Sequence, residues 1–395
     1  MNTGKIWLLS EASVYVEGAV RGAIYNFNDG KVYSINEDAC VVVNDYLLNK
    51  EYKNTFIDSL EKLNLIDRKY MPRKYEFDAI ESQLNFAWLE ITGNCNLKCL
   101  HCYDGDCHKD SDHNLSFHDW IELLNELKAI GCKTVEFIGG EPGTYSKLYA
   151  LMLHAKSLGL NIELYSNLTM ISEDVFRFIC ENGVTVHFSI YGSTAETHDA
   201  ITSVKGSFEK TLNMVKRLLE HNVRVIPSTT FMKQNELEVE SLSKFMENIG
   251  LKLKIDVVRA SKYRKIDYLM PNRFVYSKVL MNKPNFTTSR EKFNNAAFIN
   301  TCLFGKIAIT PEGDVIPCEF ARDCILGNVK KSPISEIINS EDIQSIWYMN
   351  FNKINECKDC EYRYACKDCR FLSEKISDKN KRCLYKPLLG IWDEY

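Results

Sequence analysis

The sequence predicts an α/β protein built around a partial (β/α)6 TIM-like barrel, with an N-terminal winged-helix-like β-hairpin/helix domain and a C-terminal cysteine-rich domain. Three observations predict it. Short apolar runs alternate with helical segments six times between residues 86 and 258, and residues 5–36 alternate with the period of a strand around an Asp29-Gly30 turn. The cysteines bunch in two places rather than spreading along the chain. The expected domains are 1–75, a barrel at 82–260, a linker at 261–300 and a cysteine-rich region at 301–395.

At the N-terminus, Ile24-Tyr25-Asn26-Phe27 and Val32-Tyr33-Ser34-Ile35 flank Asp29-Gly30, residue types that accept the positive φ of a hairpin turn. Helical patterns over 38–48 and 52–63 follow. The charged run Asp67-Arg68-Lys69-Tyr70-Met71-Pro72-Arg73-Lys74 is expected to end the unit. A winged helix can bind DNA, but neither helical pattern concentrates basic residues as a recognition helix would.

The barrel strands are predicted at 86–91, 134–138, 161–165, 185–190, 223–229 and 251–258, with helices such as 117–129, 145–157 and 210–221 between them. Right-handed crossovers repeated in one direction curl such a sheet into a barrel. Ligand chemistry then belongs at the C-terminal strand ends. Residues 262–300 are polar and poorly patterned, which predicts a linker.

A chain of 395 residues exceeds the usual size of one compact domain. Charged residues are 26%, hydrophobic ones 45%, and the net charge is -4 with a pI near 6.1, so there is no global basic footprint for nucleic acid. No apolar run approaches the roughly 18 residues of a spanning helix, and the start of the chain, with Lys5, Glu11 and Glu17, lacks a signal-peptide pattern. A cytoplasmic protein with no nucleic-acid or membrane partner is expected. Fifteen cysteines in such a chain, bunched as they are, favour metal over disulfides. Cys40, Cys132 and Cys180 stand alone in apolar or helical surroundings and read as small buried hydrophobes.

Directly after the first barrel strand come Cys95, Cys99 and Cys102, a CxxxCxxC arrangement followed by Tyr103. Three thiolates on one loop hold three irons of a 4Fe-4S cube and leave the fourth open to a small ligand. Zinc would need a fourth protein ligand, which His101 or Cys107 would have to supply. Gly139-Gly140-Glu141-Pro142 ends the second strand, Ser166-Asn167 the third and Ser189-Ile190-Tyr191-Gly192 the fourth, all on one rim. Two glycines permit close backbone approach, and a carboxylate suits an ammonium group.

With these motifs, residues 87–258 resemble the radical S-adenosylmethionine (SAM) superfamily. The resemblance implies a 4Fe-4S cluster on Cys95, Cys99 and Cys102. It implies that Gly139, Gly140, Glu141 and Pro142 receive the amino group of SAM, and that Tyr103, Ser166, Asn167 and Ser189 contact the rest of the cofactor. It also implies reductive cleavage of SAM to a 5'-deoxyadenosyl radical, with the electron from a donor such as flavodoxin or ferredoxin. One departure stands out in the segment from His198-Asp199 to Gly206-Ser207-Phe208. Ile201-Thr202 replace the arginine often found there, which leaves the partner of the SAM carboxylate unassigned.

In the last quarter, Cys302 precedes Gly313-Asp314-Val315-Ile316-Pro317-Cys318, followed by Cys324, Cys357, Cys360, Cys366, Cys369 and Cys383. The pair of CxxC motifs alone reads as a zinc-ribbon pattern. The whole spacing resembles the SPASM domain, which implies two auxiliary 4Fe-4S clusters. Carried over, Cys357, Cys360, Cys366 and Cys383 ligate an outer cluster, and Cys302, Cys318 and Cys369 an inner one. Cys324 completes the inner cluster, or an iron stays open to a substrate thiolate.

Placed before these domains, residues 5–65 resemble the elements that recognise precursor peptides, which capture a leader segment as an added strand and raise the local concentration of the core peptide. The chain is therefore identified as a radical SAM/SPASM peptide maturase, with thioether crosslinking of a cysteine sulfur to carbon as the expected reaction. Rival readings are carbon-carbon crosslinking, epimerisation with Cys107 or Cys324 as hydrogen donor, sulfatase-type formylglycine maturation, and a non-enzymatic metal-binding regulator. No catalytic residue is assigned beyond the SAM cluster.

Overall fold

The computed structural model describes residues 6–49, 52–78, 80–103, 113–258, 267–272, 286–366 and 383–392; Cys107 and Cys369 lie outside them. The chain divides into two compact units, residues 1–82 with 281–304 and 345–395, and residues 83–280 with 305–344.

In the first unit, β1 (Ile6–Ser10), β2 (Ser13–Glu17), β3 (Gly22–Asn26) and β4 (Lys31–Ile35) form an antiparallel meander. The hairpin read from residues 24–35 is therefore the second half of a longer sheet. Two helices follow, α1 (Glu37–Leu48) and α2 (Thr55–Lys62), capped by the side chains of Asn36 and Asn54. The charged run expected to end the unit instead returns to it. Its residues Arg73–Lys74 form β5 beside β1, with the Lys74 ammonium 3.7 Å from the Trp7 ring centroid.

Period-two alternation gives this sheet two apolar faces. Leu9, Tyr15 and Ile24 pack with Val43 and Tyr46 of α1 and with Ile57 and Leu60 of α2. On the other face, Leu8, Val14, Val16 and Tyr25 pack with Phe293, Ala296, Ala297 and Tyr364. Phe293 lies on the helix Arg290–Phe298, inside the stretch expected to be a linker. That helix buries Phe293, Asn294, Ala296 and Ala297 in an otherwise polar sequence, too weak an apolar stripe for periodicity to register.

In the second unit, β6 (Phe86–Glu90), β7 (Thr134–Ile138), β8 (Asn161–Ser166), β9 (Thr185–Ser189), β10 (Val225–Phe231) and β11 (Lys254–Val257) are parallel neighbours in chain order, the six strands expected. Helices α3 (Phe117–Ala129), α4 (Leu148–Ser157), α5 (Glu173–Asn182), α6 (Ala195–Thr202), α7 (Ser207–Glu220) and α8 (Val239–Asn248) alternate with them. The sheet does not stop at β6. Strand β12 (Lys306–Ile309) pairs parallel with β6, and β13 (Asp314–Ile316) and β14 (Gly327–Asn328) continue antiparallel, so part of the cysteine-rich region belongs to the barrel sheet.

One set of alternate residues, including Ala87, Leu89, Val135, Phe137, Leu164, Val186 and Phe188, is apolar and fully buried. The other set includes polar residues: Glu136, Glu163 and His187 bring their ligand-type atoms within 4.8 Å of one another.

Candidate functional site

The C-terminal strand ends open on one cavity of about 240 Å³. Cys95, Cys99, Cys102 and Tyr103 line it from the loop after β6, Gly139, Gly140 and Glu141 from β7, Ser166 and Asn167 from β8, and Ser189 from β9. Pro142 is buried as the first residue of the 3-10 turn Pro142–Thr144 and is not among the lining residues.

The glycines act first on the protein itself. Gly139 has φ +145°, and a Cβ there would sit 2.3 Å from the Thr92 carbonyl oxygen; at Gly140 it would sit 2.3 Å from that of Asn94. This closeness lets the Gly140 amide donate to Thr92 O at 2.9 Å and the Glu141 amide to Asn94 O at 2.8 Å. The end of β7 is thereby fastened to the residues that lead into Cys95. Two further anchors hold the cysteine loop. Asn167 Nδ2 donates to Asn96 Oδ1 at 2.9 Å, and the amides of Lys98 and Leu100 donate to the carbonyls of Thr202 and Ile201, both at 2.9 Å, satisfying orphan acceptors at the end of α6.

Glu141 is buried, and its carboxylate accepts from Ser166 Oγ (2.6 Å), the Gly143 amide (2.9 Å) and the Asn167 amide (2.7 Å). Burial raises its pKa, and these three donors oppose the shift. Ser166 and Asn167, read from sequence as cofactor contacts, thus orient Glu141 and the cysteine loop. A carboxylate with about four acceptor directions keeps one for a ligand ammonium.

Sequence reasoning did not single out Asp256, Glu319, Phe320 or Thr230, which also line the cavity. Asp256 is the last residue but one of β11 and Thr230 the last but one of β10, so the rim rule that found Ser189 also applies to them. Glu319 and Phe320 follow Cys318, and their place depends on the β12–β14 extension. Deeper in the barrel, His187 Nε2 lies 2.9 Å from Glu163 and 3.8 Å from Glu136. Burial, followed by the charges of Glu319 and Glu163, raises the Glu136 pKa to about 8. Polar residues in the middle of parallel strands, which usually read as continuous apolar runs, were the available signal.

The remaining cysteines fall in both units. In the first unit, Cys357, Cys360, Cys366 and Cys383 are half-buried and Cys302 is exposed. Burial pushes the Cys360 thiol upward, and the nearby charges of Glu361, Cys357 and Cys383 add to the shift. The same segment is tied to the N-terminal sheet: the Ala19 amide donates to Asp359 O at 2.8 Å and Tyr25 Oη to Glu361 O at 2.7 Å. In the barrel unit Cys318 is buried and Cys324 half-buried. Cys40 and Cys132 are buried as expected of small hydrophobes, while Cys180 is half-buried. None of the described cysteines is in a disulfide. Among the described residues, no helix is long and apolar enough to cross a membrane.

Residues 89–246 match the radical SAM superfamily, and residues 301–361 match the SPASM iron-sulfur cluster-binding domain. The chain is 26% identical over 360 residues to an AdoMet-dependent heme synthase of Oleidesulfovibrio alaskensis, covering 80% of this chain and 91% of that protein. It is 32% identical over 163 residues to the sporulation killing factor maturation protein SkfB of Bacillus subtilis, covering 41% of this chain and 39% of that one. Among solved structures, Streptococcus suis SuiB bound to S-adenosylmethionine superposes with a TM-score of 0.61 at 13% identity, over 95% of this chain and 99% of SuiB.

Proposed function

This chain is a radical SAM enzyme that carries a SPASM iron-sulfur domain, and from that premise we propose that it matures a ribosomally synthesised precursor peptide, joining a cysteine sulfur to carbon as a thioether. The observation that carries the peptide reading is the N-terminal sheet, ordered β4-β3-β2-β1-β5, with half-exposed β4 at its edge. An edge strand of this kind accepts an extended segment through main-chain hydrogen bonds. A leader bound there keeps the core peptide tethered to the enzyme. The names of SkfB and of SuiB, the latter also solved with its precursor peptide SuiA, support the same reading.

In this proposal Cys95, Cys99 and Cys102 hold the SAM cluster, Glu141 takes the ammonium group, and Tyr103 and Phe320, in edge contact at 5.3 Å, form an apolar wall that helps exclude water. When bound, cluster and SAM supply a 5'-deoxyadenosyl radical that takes a hydrogen atom from substrate. The cysteines read as the outer and inner sets keep those roles. Cys324 completes the inner set, or an iron is left for a substrate sulfur; in the second case forming the thioether would release the thiol proton to solvent and pass the second electron to that auxiliary iron. The electron donor in this reading is a flavodoxin or ferredoxin.

A second reading is favoured by the coverage of the heme synthase relatives: a substrate bearing several carboxylates, as a tetrapyrrole does. Charge argues against it. The described residues lining the cavity include Glu141, Asp256 and Glu319 and no lysine or arginine, a poor match for several carboxylates.

The test is anaerobic reconstitution, reduction, and detection of 5'-deoxyadenosine, with wild type compared to the triple variant Cys95→Ala, Cys99→Ala, Cys102→Ala. A cysteine-rich peptide encoded beside the gene and an iron coproporphyrin are offered in parallel. Peptide losing two hydrogens, only with the intact triad, is the expected result. Conversion of the porphyrin with an untouched peptide would replace this reading with the second.

A further inference from the structure

His198 sits on the cavity wall beside the cysteine loop, on α6, whose last carbonyls receive the amides of Lys98 and Leu100. The side chain is 1% exposed. Its Nδ1 accepts the Tyr191 amide at 3.2 Å, which fixes the neutral tautomer with the proton on Nε2. The ring stacks on Tyr191 at 5.5 Å and lies 5.6 Å from Phe208. Burial lowers its pKa to about 4, so the ring stays neutral at working pH. The Nε2-H group is buried and has no partner among the described residues. An orphaned buried donor costs stability unless something arrives to accept from it.

Several donors nearby are committed. Ser166 Oγ and the Asn167 amide donate to Glu141, and Asn167 Nδ2 donates to Asn96. Ser207 Oγ donates to Asp199, so in the 2.7 Å contact between Thr202 and Ser207 the Thr202 hydroxyl is the donor. The Gly206 and Phe208 amides at the start of α7 also donate to Asp199. Glu141 supplies negative charge to the cavity lining, and His198 on the same lining carries a buried Nε2-H with no partner among the described residues.

We propose that His198, through its Nε2-H, is the positioning residue that receives the carboxylate of SAM in this chain. In that role the Nε2-H donates to the carboxylate of a SAM whose ammonium group Glu141 receives. The inference rests on the reading that this cavity binds SAM.

The experiment measures binding rather than turnover, by calorimetry on the iron-loaded, oxidised holoenzyme with SAM and with decarboxylated SAM. His198→Asn keeps an acceptor for the Tyr191 amide and removes the outer donor; His198→Gln keeps the outer donor. His198→Asn is expected to weaken SAM roughly ten- to hundredfold, the range for a hydrogen bond to a charged group, and to leave decarboxylated SAM unchanged. His198→Gln is expected to stay within about threefold of wild type for SAM. Retention in the Asn variant with loss in the Gln variant would show that the ring only holds Tyr191, and equal weakening of both ligands would move the contact off the carboxylate; either outcome overturns the inference. Failure of wild type to bind either ligand would instead sink the cofactor reading. Should the variants not load iron, wild-type holoenzyme labelled with 15N-histidine decides: the Nε2 proton resonance shifts with SAM and not with decarboxylated SAM, and an unmoved resonance refutes the contact.

Discussion

Glu90, the last residue of β6, accepts from both terminal nitrogens of Arg322, at 2.6 and 2.8 Å. Glu90 is 1% exposed, and the guanidinium carbon also lies 5.4 Å from the Tyr103 ring centroid. Arg322 lies between Cys318 and Cys324, so the pair fixes the segment after β13 to the end of the first barrel strand.

Removing one member of this pair strands a buried charge, which costs about 3–5 kcal/mol. Arg322→Met should therefore lower unfolding stability by that amount in anaerobic denaturant titration. The double variant Glu90→Leu, Arg322→Met should recover much of the loss, because a well-packed apolar pair is often as stable as the ion pair it replaces.

Gly140→Ala places a Cβ 2.3 Å from a backbone oxygen, which no rotamer change relieves. Overpacking of this kind costs about 1–3 kcal/mol, and here it pushes the end of β7 away from the cysteine loop. Iron analysis with electron paramagnetic resonance should show loss of the SAM-type cluster while the auxiliary iron is kept.

Glu136 gives a pH signature. With its pKa raised from 4.5 to about 8, the folded state holds a proton that the unfolded chain has released between those values. Stability from this group therefore falls as pH rises, by up to about 1.4 kcal/mol per pH unit. Below pH 4.5 it contributes nothing, and above about 8 the full penalty is present. Glu136→Gln should match wild type at pH 4.5 and be the more stable protein at pH 8, as read from denaturation midpoints.

Phe293 meets Tyr25, Tyr75 and Tyr364 at ring-centroid distances of 4.9, 5.2 and 4.8 Å. Phe293→Ala should cost about 3–5 kcal/mol, a loss that a linker residue would not produce. Thermal unfolding measures it. In the proposed reading, weaker capture of a leader peptide accompanies it, because Tyr25 lies in β3, beside the edge strand β4.

Most of the barrel was legible because each strand and helix announces itself locally. The six apolar runs, the CxxxCxxC loop and the Gly139-Gly140-Glu141 turn needed no knowledge of distant partners. The Ser166-Asn167 pair was legible as a site feature, but its hydrogen bonds to Glu141 were not, since they run between strands. The helix Arg290–Phe298 was missed because its burial depends on a sheet more than 250 residues earlier in the chain.

By itself, then, the sequence determined the chemistry available: three thiols in one loop, a glycine pair before a carboxylate, and a second cysteine set spaced for iron. Those features depend on short-range spacing, which the covalent chain fixes. Tertiary structure alone decided that residues 290–298 and 357–366 share a compact unit with the N-terminal sheet, and that β12 extends the barrel beside β6. It also decided that His198 lines the cavity and that its buried Nε2-H has no partner among the described residues. These depend on which surfaces meet once apolar faces are buried and backbone groups are paired, and the chain sets that only after it has folded.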